Sequence, residues 1–203
     1  MVEIGAQTTN VAAYYEGKIH HVAILPFGGA TLTQDLMRGL AVPYKEAQRA
    51  KEHHSHAFAQ MVDPRETVDL PGPSPNQMRS VACELIAHIV EQRLDEMFGI
   101  IQGELQDHGV AEKLGAGIVL SGGSASIPGI TELAQQIFAA PVRLGVPAEG
   151  LGGIADVVAR PRFTVGAGLA LWGADRFAET GRGASTRASG IVTRLGVWLK
   201  EFF

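Results

Sequence analysis

Hydrophobic and polar positions alternate from the first residues. Val2 and Ile4 flank Glu3, a Gly5-Ala6-Gln7 turn follows, and Thr8 to Tyr15 is rich in β-branched and aromatic residues, so two strands are predicted. Glu16-Gly17-Lys18 separates that run from Ile19 to Leu25, and residues 1 to 26 read as a three-stranded antiparallel meander. The period then becomes helical. After Gly28-Gly29, Thr31 is placed to cap a helix with Leu32, Leu36, Met37 and Leu40 on one face, ending before Pro43. Tyr44 to about His54 reads as a second, short helix.

Pro64, Pro71, Pro73 and Pro75 break the next segment, so residues 59 to 77 read as irregular or edge structure around a strand-like Glu66 to Leu70. The longest helical pattern runs from Met78 to His108, with Val81, Leu85, Ile89, Val90, Leu94, Met97, Phe98, Ile101 and Leu105 at spacings of three and four, and Gly109 stops it. A parallel-sheet pattern follows: strand Gly117 to Leu120, helix Ile130 to Phe138, strand Val142 to Val146. Phe163 to Phe177, rich in Gly and Ala, predicts a closely packed last core helix. The uncharged stretch from Leu114 to Thr131 reaches 18 residues, but its five Gly, three Ser and Pro128 fit a strand, a glycine turn and a helix start better than a membrane span.

Composition narrows the function class. Apolar residues are 46% and charged residues 19% of 203, with 25 Gly and 10 Pro, which fits a globular chain of one elaborate domain or two small ones. Seventeen Lys and Arg against 21 Asp and Glu leave a net charge of −4, so no nucleic-acid partner is expected. Cys83 is the single cysteine, which excludes an internal disulfide and suits a reducing compartment; its place on the apolar side of a helix reads as core packing. Met1-Val2-Glu3-Ile4-Gly5 lacks the basic start and apolar core of a secretory signal. His53, His54 and His56 have no carboxylate at a ligand spacing, and no metal site is expected. Neither a Ser/His/Asp set nor paired carboxylates are evident, so no catalytic residue is assigned.

The last 25 residues carry a different signal. Glu179 to Gly190 contains no apolar side chain larger than alanine and predicts a flexible linker. Beyond it, Ile191, Val192, Leu195, Trp198, Leu199, Phe202 and Phe203 fall within a helical arc of about 140°, flanked by Arg194 and Lys200. From Arg182 to Phe203, Arg182, Arg187, Arg194 and Lys200 against Glu201 sum to +3 on an otherwise acidic chain. A segment of this kind predicts an amphipathic helix over residues 191 to 203 that lies on a membrane surface and folds as it binds lipid. Docking on its own domain is the alternative.

Two glycine turns complete the pattern. Glu3-Ile4-Gly5-Ala6-Gln7-Thr8-Thr9-Asn10 and Leu120-Ser121-Gly122-Gly123-Ser124-Ala125 each follow a strand, where glycine lets backbone approach a ligand. In this order and about 115 residues apart, they resemble the phosphate and adenosine motifs of the actin and sugar-kinase superfamily. With Phe27-Gly28-Gly29, Pro128-Gly129, Pro141 to Gly145 and the amphipathic tail, the whole chain resembles the C-terminal half of the FtsA family, the actin-like bacterial cell-division proteins.

The resemblance implies an α/β, actin-like (ribonuclease H-like) ATPase fold with a second small α/β subdomain and a C-terminal amphipathic helix. Residues 1–58 and 112–178 would form the core subdomain, 59–111 an inserted partner-binding subdomain, 179–190 the linker and 191–203 the membrane-targeting helix. Gly5, Ala6, Gln7 and Thr8 would approach the β- and γ-phosphates, Gly122, Gly123 and Ser124 the adenosine, and Gln48 and Lys51 the ribose and base. Glu3, Ala6, Gln7, Asn10 and Gln48 stand where relatives carry Asp, Gly, Gly, Asp and Glu, which implies weak binding and little hydrolysis. The first phosphate loop would lie upstream, so this chain would hold half of a cleft that takes ATP with Mg2+ in the full-length protein.

On the long helix, Arg93 and Glu96, with Arg79 added, would receive the C-terminal peptide of FtsZ. Ile191, Leu195, Trp198, Leu199, Phe202 and Phe203, with Arg194 and Lys200, would contact membrane lipids. The implied function is to tether the FtsZ ring to the cytoplasmic face of the membrane at the division site. Self-association into filaments and contact with other division proteins are implied too. An ATP-dependent small-molecule kinase or ATPase of the same superfamily, or a PilM-like pilus-assembly scaffold, is the alternative.

Overall fold

The computed structural model describes residues 1–72, 77–147 and 155–180. In chain order its strands are β1 (Val2–Ile4), β2 (Thr9–Tyr15), β3 (Lys18–Leu25), β4 (Thr67–Pro71), β5 (Met78–Ala82), β6 (Ile118–Ser121) and β7 (Val142–Leu144). Its helices are α1 (Gly29–Gly39), α2 (Tyr44–His54), α3 (Cys83–Asp107), α4 (Ile130–Phe138), the single turn α5 (Ala155–Val158) and α6 (Thr164–Thr180).

The predicted meander forms: β1 pairs antiparallel with β2 from Val2↔Val11 to Ile4↔Thr9, and β2 with β3 from Thr9↔Leu25 to Tyr15↔Lys18. Its free side is extended by β6, parallel to β1, and β7, parallel to β6, giving the sheet order β3-β2-β1-β6-β7. The helix α4 supplies the crossover that a parallel β6–β7 pair requires. One sheet face buries Val2, Ile4, Val11, Ala13, Ile118 and Leu120 against Leu32 and Leu36 of α1 and the inner row of α3, from Ile86 through Leu94 and Phe98 to Leu105. About 37 Å of α3 at 1.5 Å per residue therefore runs through the core, in contact with α1, α2 and α4.

Three expectations change. Met78 to Ala82 is a strand, not the first turn of the long helix: it pairs with β4 from Thr67↔Ala82 to Pro71↔Met78. Helical and alternating patterns both place Val81 inside, so only the partner strand decides, and α3 starts at the buried Cys83. Thr31 sits inside α1, whose N-cap is Gly28; the Gly28 N–H donates to Thr31 Oγ1 at 3.3 Å. The helix predicted over 163 to 177 forms as α6, yet none of residues 164–178 is buried, and Val165, Leu169, Trp172 and Phe177 are exposed. Small residues permit close packing without supplying the opposing surface.

The smaller departures are of extent. β7 stops at Leu144, and α6 takes Glu179 and Thr180 from the predicted linker. The rest of that linker and the predicted terminal helix, 191–203, lie outside the described residues. Leu114 to Thr131 divides into strand, glycine turn and helix start as expected, and among the described residues no helix is long and apolar enough to cross a membrane.

Candidate functional site

The turn after β1 is closed by Gly5 N–H donating to the Thr8 carbonyl at 2.9 Å. That closure turns the carbonyls of Gly5 and Ala6 toward the start of α1, where they accept N–H groups from Gly29 and Ala30 at 2.9 and 2.7 Å. Two of the helix's otherwise unpartnered amides are thus satisfied by the turn. Backbone contact this close needs glycine at the helix N-cap: a Cβ on Gly28 would stand 2.7 Å from the Gly5 carbonyl oxygen and 2.9 Å from that of Ala6. From α2, Lys51 donates to the Gly29 carbonyl and to Thr33 Oγ1, both at 2.9 Å. Burial lowers the Lys51 pKa, and neighbouring Glu52 opposes the shift.

At the end of β6, Gly122 adopts φ +88° and packs on the backbone of Ile4. Its N–H donates to the Pro161 carbonyl at 3.0 Å, which draws in the turn carrying Arg160 and Arg162. Gly5, Ala6, Gly29, Gln48, Lys51, Glu52, Gly123, Ser124, Arg160 and Arg162 line one cleft of about 610 Å3. Among the described residues that line it, three cations against one carboxylate give it a positive character suited to phosphate.

Six of the nine residues expected at a nucleotide therefore share the cleft: Gly5, Ala6, Gln48, Lys51, Gly123 and Ser124. Gln7 and Thr8 are exposed outside its lining, and Gly122 lies behind it, spent on the close approach of β6 to β1. Arg160 and Arg162 were not singled out from sequence; their signal was two arginines around Pro161 at a helix start. A polyphosphate fits this donor set, with Lys51, Arg160 and Arg162 as its counter-charges. Glu3 lies outside the lining, and its carboxylate accepts Asn10 Nδ2 at 2.6 Å.

The predicted partner residues divide. Arg93 Nε donates to Asp35 Oδ2 of α1 at 2.5 Å, and its Nη1 pairs with Glu96, so these two stand together on α3. Arg79 lies on β5 and donates through Nη2 to the Leu40 carbonyl at the end of α1. Glu91, on the same helix as Arg93, accepts the Ala59 N–H at 2.8 Å. The three clustered histidines diverge: His53 borders the cleft, His54 Nδ1 lies 3.9 Å from Cys83 Sγ, and His56 Nδ1 accepts the Phe58 N–H. The predicted membrane residues, 191 to 203, lie outside the described residues.

The sequence model of the family described as "Cell division protein FtsA" matches residues 1–168. The chain belongs to the FtsA family. The FtsA of Pseudomonas aeruginosa is 36% identical over 214 residues, covering the whole chain and 50% of that protein. The FtsA of Neisseria meningitidis is 39% identical over 170 residues, covering 83% of the chain and 41% of that protein. The chain thus spans about half the length of the curated relatives it matches. Among solved structures, MreB 5 of Spiroplasma citri bound to AMPPNP aligns over 90% of this chain and 54% of its own, with a TM-score of 0.69 at 16% identity. The FtsA-family chain therefore has the actin-like α/β fold, and that neighbour was solved with a nucleotide analogue.

Proposed function

We propose that this FtsA-family chain belongs to a tether that holds the division ring on the cytoplasmic face of the membrane. The observation carrying this reading is the family match along residues 1–168. It favours a division scaffold over a small-molecule kinase or a pilus scaffold. In this reading, residues 1–58 and 112–178 form the core subdomain, 59–111 the partner-binding insertion, 179–190 the linker and 191–203 the anchor. The cleft holds the phosphates and adenosine of ATP, with Mg2+ carried on the nucleotide. Lys51 supplies a charge already fixed by two hydrogen bonds, and Arg160 and Arg162 add two more, the latter with its guanidinium 4.8 Å over the Phe163 ring. Nucleotide serves as a structural switch with little turnover, because among the described residues the lining offers one carboxylate, Glu52, and that group accepts Gln48 Nε2 at 2.8 Å. Self-association into filaments and contact with other division proteins complete the reading.

The FtsZ C-terminal peptide docks beside Arg93 and Glu96. Arg93 also braces α1 through Asp35, so its replacement would alter fold and docking together. Glu96, more exposed, is the cleaner probe. Fluorescence anisotropy of a labelled FtsZ C-terminal peptide, titrated with this chain, is expected to saturate and to weaken at least tenfold, about 1.4 kcal/mol, with Glu96→Lys. Absence of saturable binding by the folded chain would remove the docking reading and leave the partner of this face open to other peptides.

A further inference from the structure

Away from the cleft, the edge strand β3 and the end of α3 bring three metal-competent side chains together. His21 lies opposite the buried Ala13 in the β2–β3 register, which turns it toward the core side of the sheet and onto α3. There its Nε2 meets Glu104 Oε1 at 2.9 Å. One helical turn on, His108 Nδ1 lies 3.4 Å from the same carboxylate oxygen, and the two imidazoles stack with centroids 3.9 Å apart. The four-residue spacing of Glu104 and His108 puts both on one face of α3, so the strand need supply only the third donor.

We propose that His21, Glu104 and His108 form a zinc site joining β3 to the C-terminal end of α3. Their donor atoms all lie within 4.8 Å of one another. Tetrahedral ligands roughly 2.0–2.1 Å from zinc stand about 3.4 Å apart, so zinc would draw the three donors together and release His108 Nδ1 from the Glu104 carbonyl that it contacts at 2.9 Å. Two imidazoles and a carboxylate suit zinc better than magnesium or calcium, which favour all-oxygen sites. The electrostatics agree: the last turn of α3 contains no basic residue, so the carbonyl end of the helix and Glu104 both favour a cation. His108 is half exposed, leaving a fourth position open to water or an outside donor. A second triad, His54, Glu66 and Cys83, competes less well, because burial and the nearby Glu66 both push the Cys83 thiol up and oppose the thiolate that zinc needs.

Zinc titration of the whole chain against a chromogenic chelator tests the site, independently of the nucleotide and partner readings. One saturable site is expected, weakened at least about tenfold by His108→Gln and by Glu104→Gln, unaffected by Cys83→Ser and not displaced by excess Mg2+. Zinc should also raise the Tm of the parent chain and leave that of His108→Gln unchanged. Co2+ in its place should give a d–d spectrum without a thiolate charge-transfer band. Affinity that survives the His108 and Glu104 changes, a thiolate band abolished by Cys83→Ser, or no saturable zinc binding would each overturn the assignment.

Discussion

Gly122 and Gly123 are adjacent and alike in sequence, yet they hold opposite positions in the structure. Gly122 sits at φ +88° with space for its Cβ closed by the Ile4 carbonyl at 2.3 Å, whereas a Cβ on Gly123 meets nothing within 4 Å. Gly122→Ala is therefore expected to destabilise the chain by at least about 2 kcal/mol in urea unfolding, and Gly123→Ala to stay within about 0.5 kcal/mol. Lys51 carries a second prediction at this scale. Its pKa is lowered by burial, so the unfolded chain binds its proton more tightly, and its contribution to stability rises with pH toward the ordinary lysine value of 10.5. Lys51→Met should flatten that part of the stability–pH curve. An unchanged slope would mean that the lysine is as well solvated folded as unfolded.

Elements meet through few polar links and much apolar contact. The Asp35–Arg93 pair ties α1 to α3 above a buried row that includes Leu36, Val90 and Leu94. A double-mutant cycle with Asp35→Ala and Arg93→Ala should give a coupling of about 0.5–1 kcal/mol, read from denaturant midpoints at constant slope. Additivity would assign the contact to the surface alone. The same link explains why Arg93 could be read from sequence as a docking residue on a solvated helix face. Periodicity places it beside the apolar stripe, and α1, 58 residues earlier in the chain, turns it into a brace.

For the molecule as a whole, the proposed tether depends on the +3 tail beyond the described residues. Trp198→Glu replaces the largest apolar side chain of the tail, at one edge of its apolar arc, with a charge and should abolish co-sedimentation with anionic vesicles at low salt. Sedimentation unchanged by that substitution would remove the anchor from the reading. Because a single short helix binds weakly, attachment should strengthen steeply when the chain is displayed in several copies.

Sequence alone determined the features set by local period and local chemistry. The meander, α1, α2, the β6–α4–β7 unit and the apolar row of α3 follow from alternation, helical spacing and glycine turns among near neighbours. Most of the cleft was legible for the same reason, since Gly5, Ala6, Gly123 and Ser124 belong to short motifs. What needed tertiary structure involved a partner distant along the chain. Only β4 made Met78 to Ala82 a strand, tertiary links such as the Gly122–Pro161 and Thr164–Gly145 hydrogen bonds brought Arg160 and Arg162 to the cleft, and only packing decided that the Gly- and Ala-rich α6 would remain unburied. His21 and Glu104 meet across 83 residues, where no spacing rule reaches.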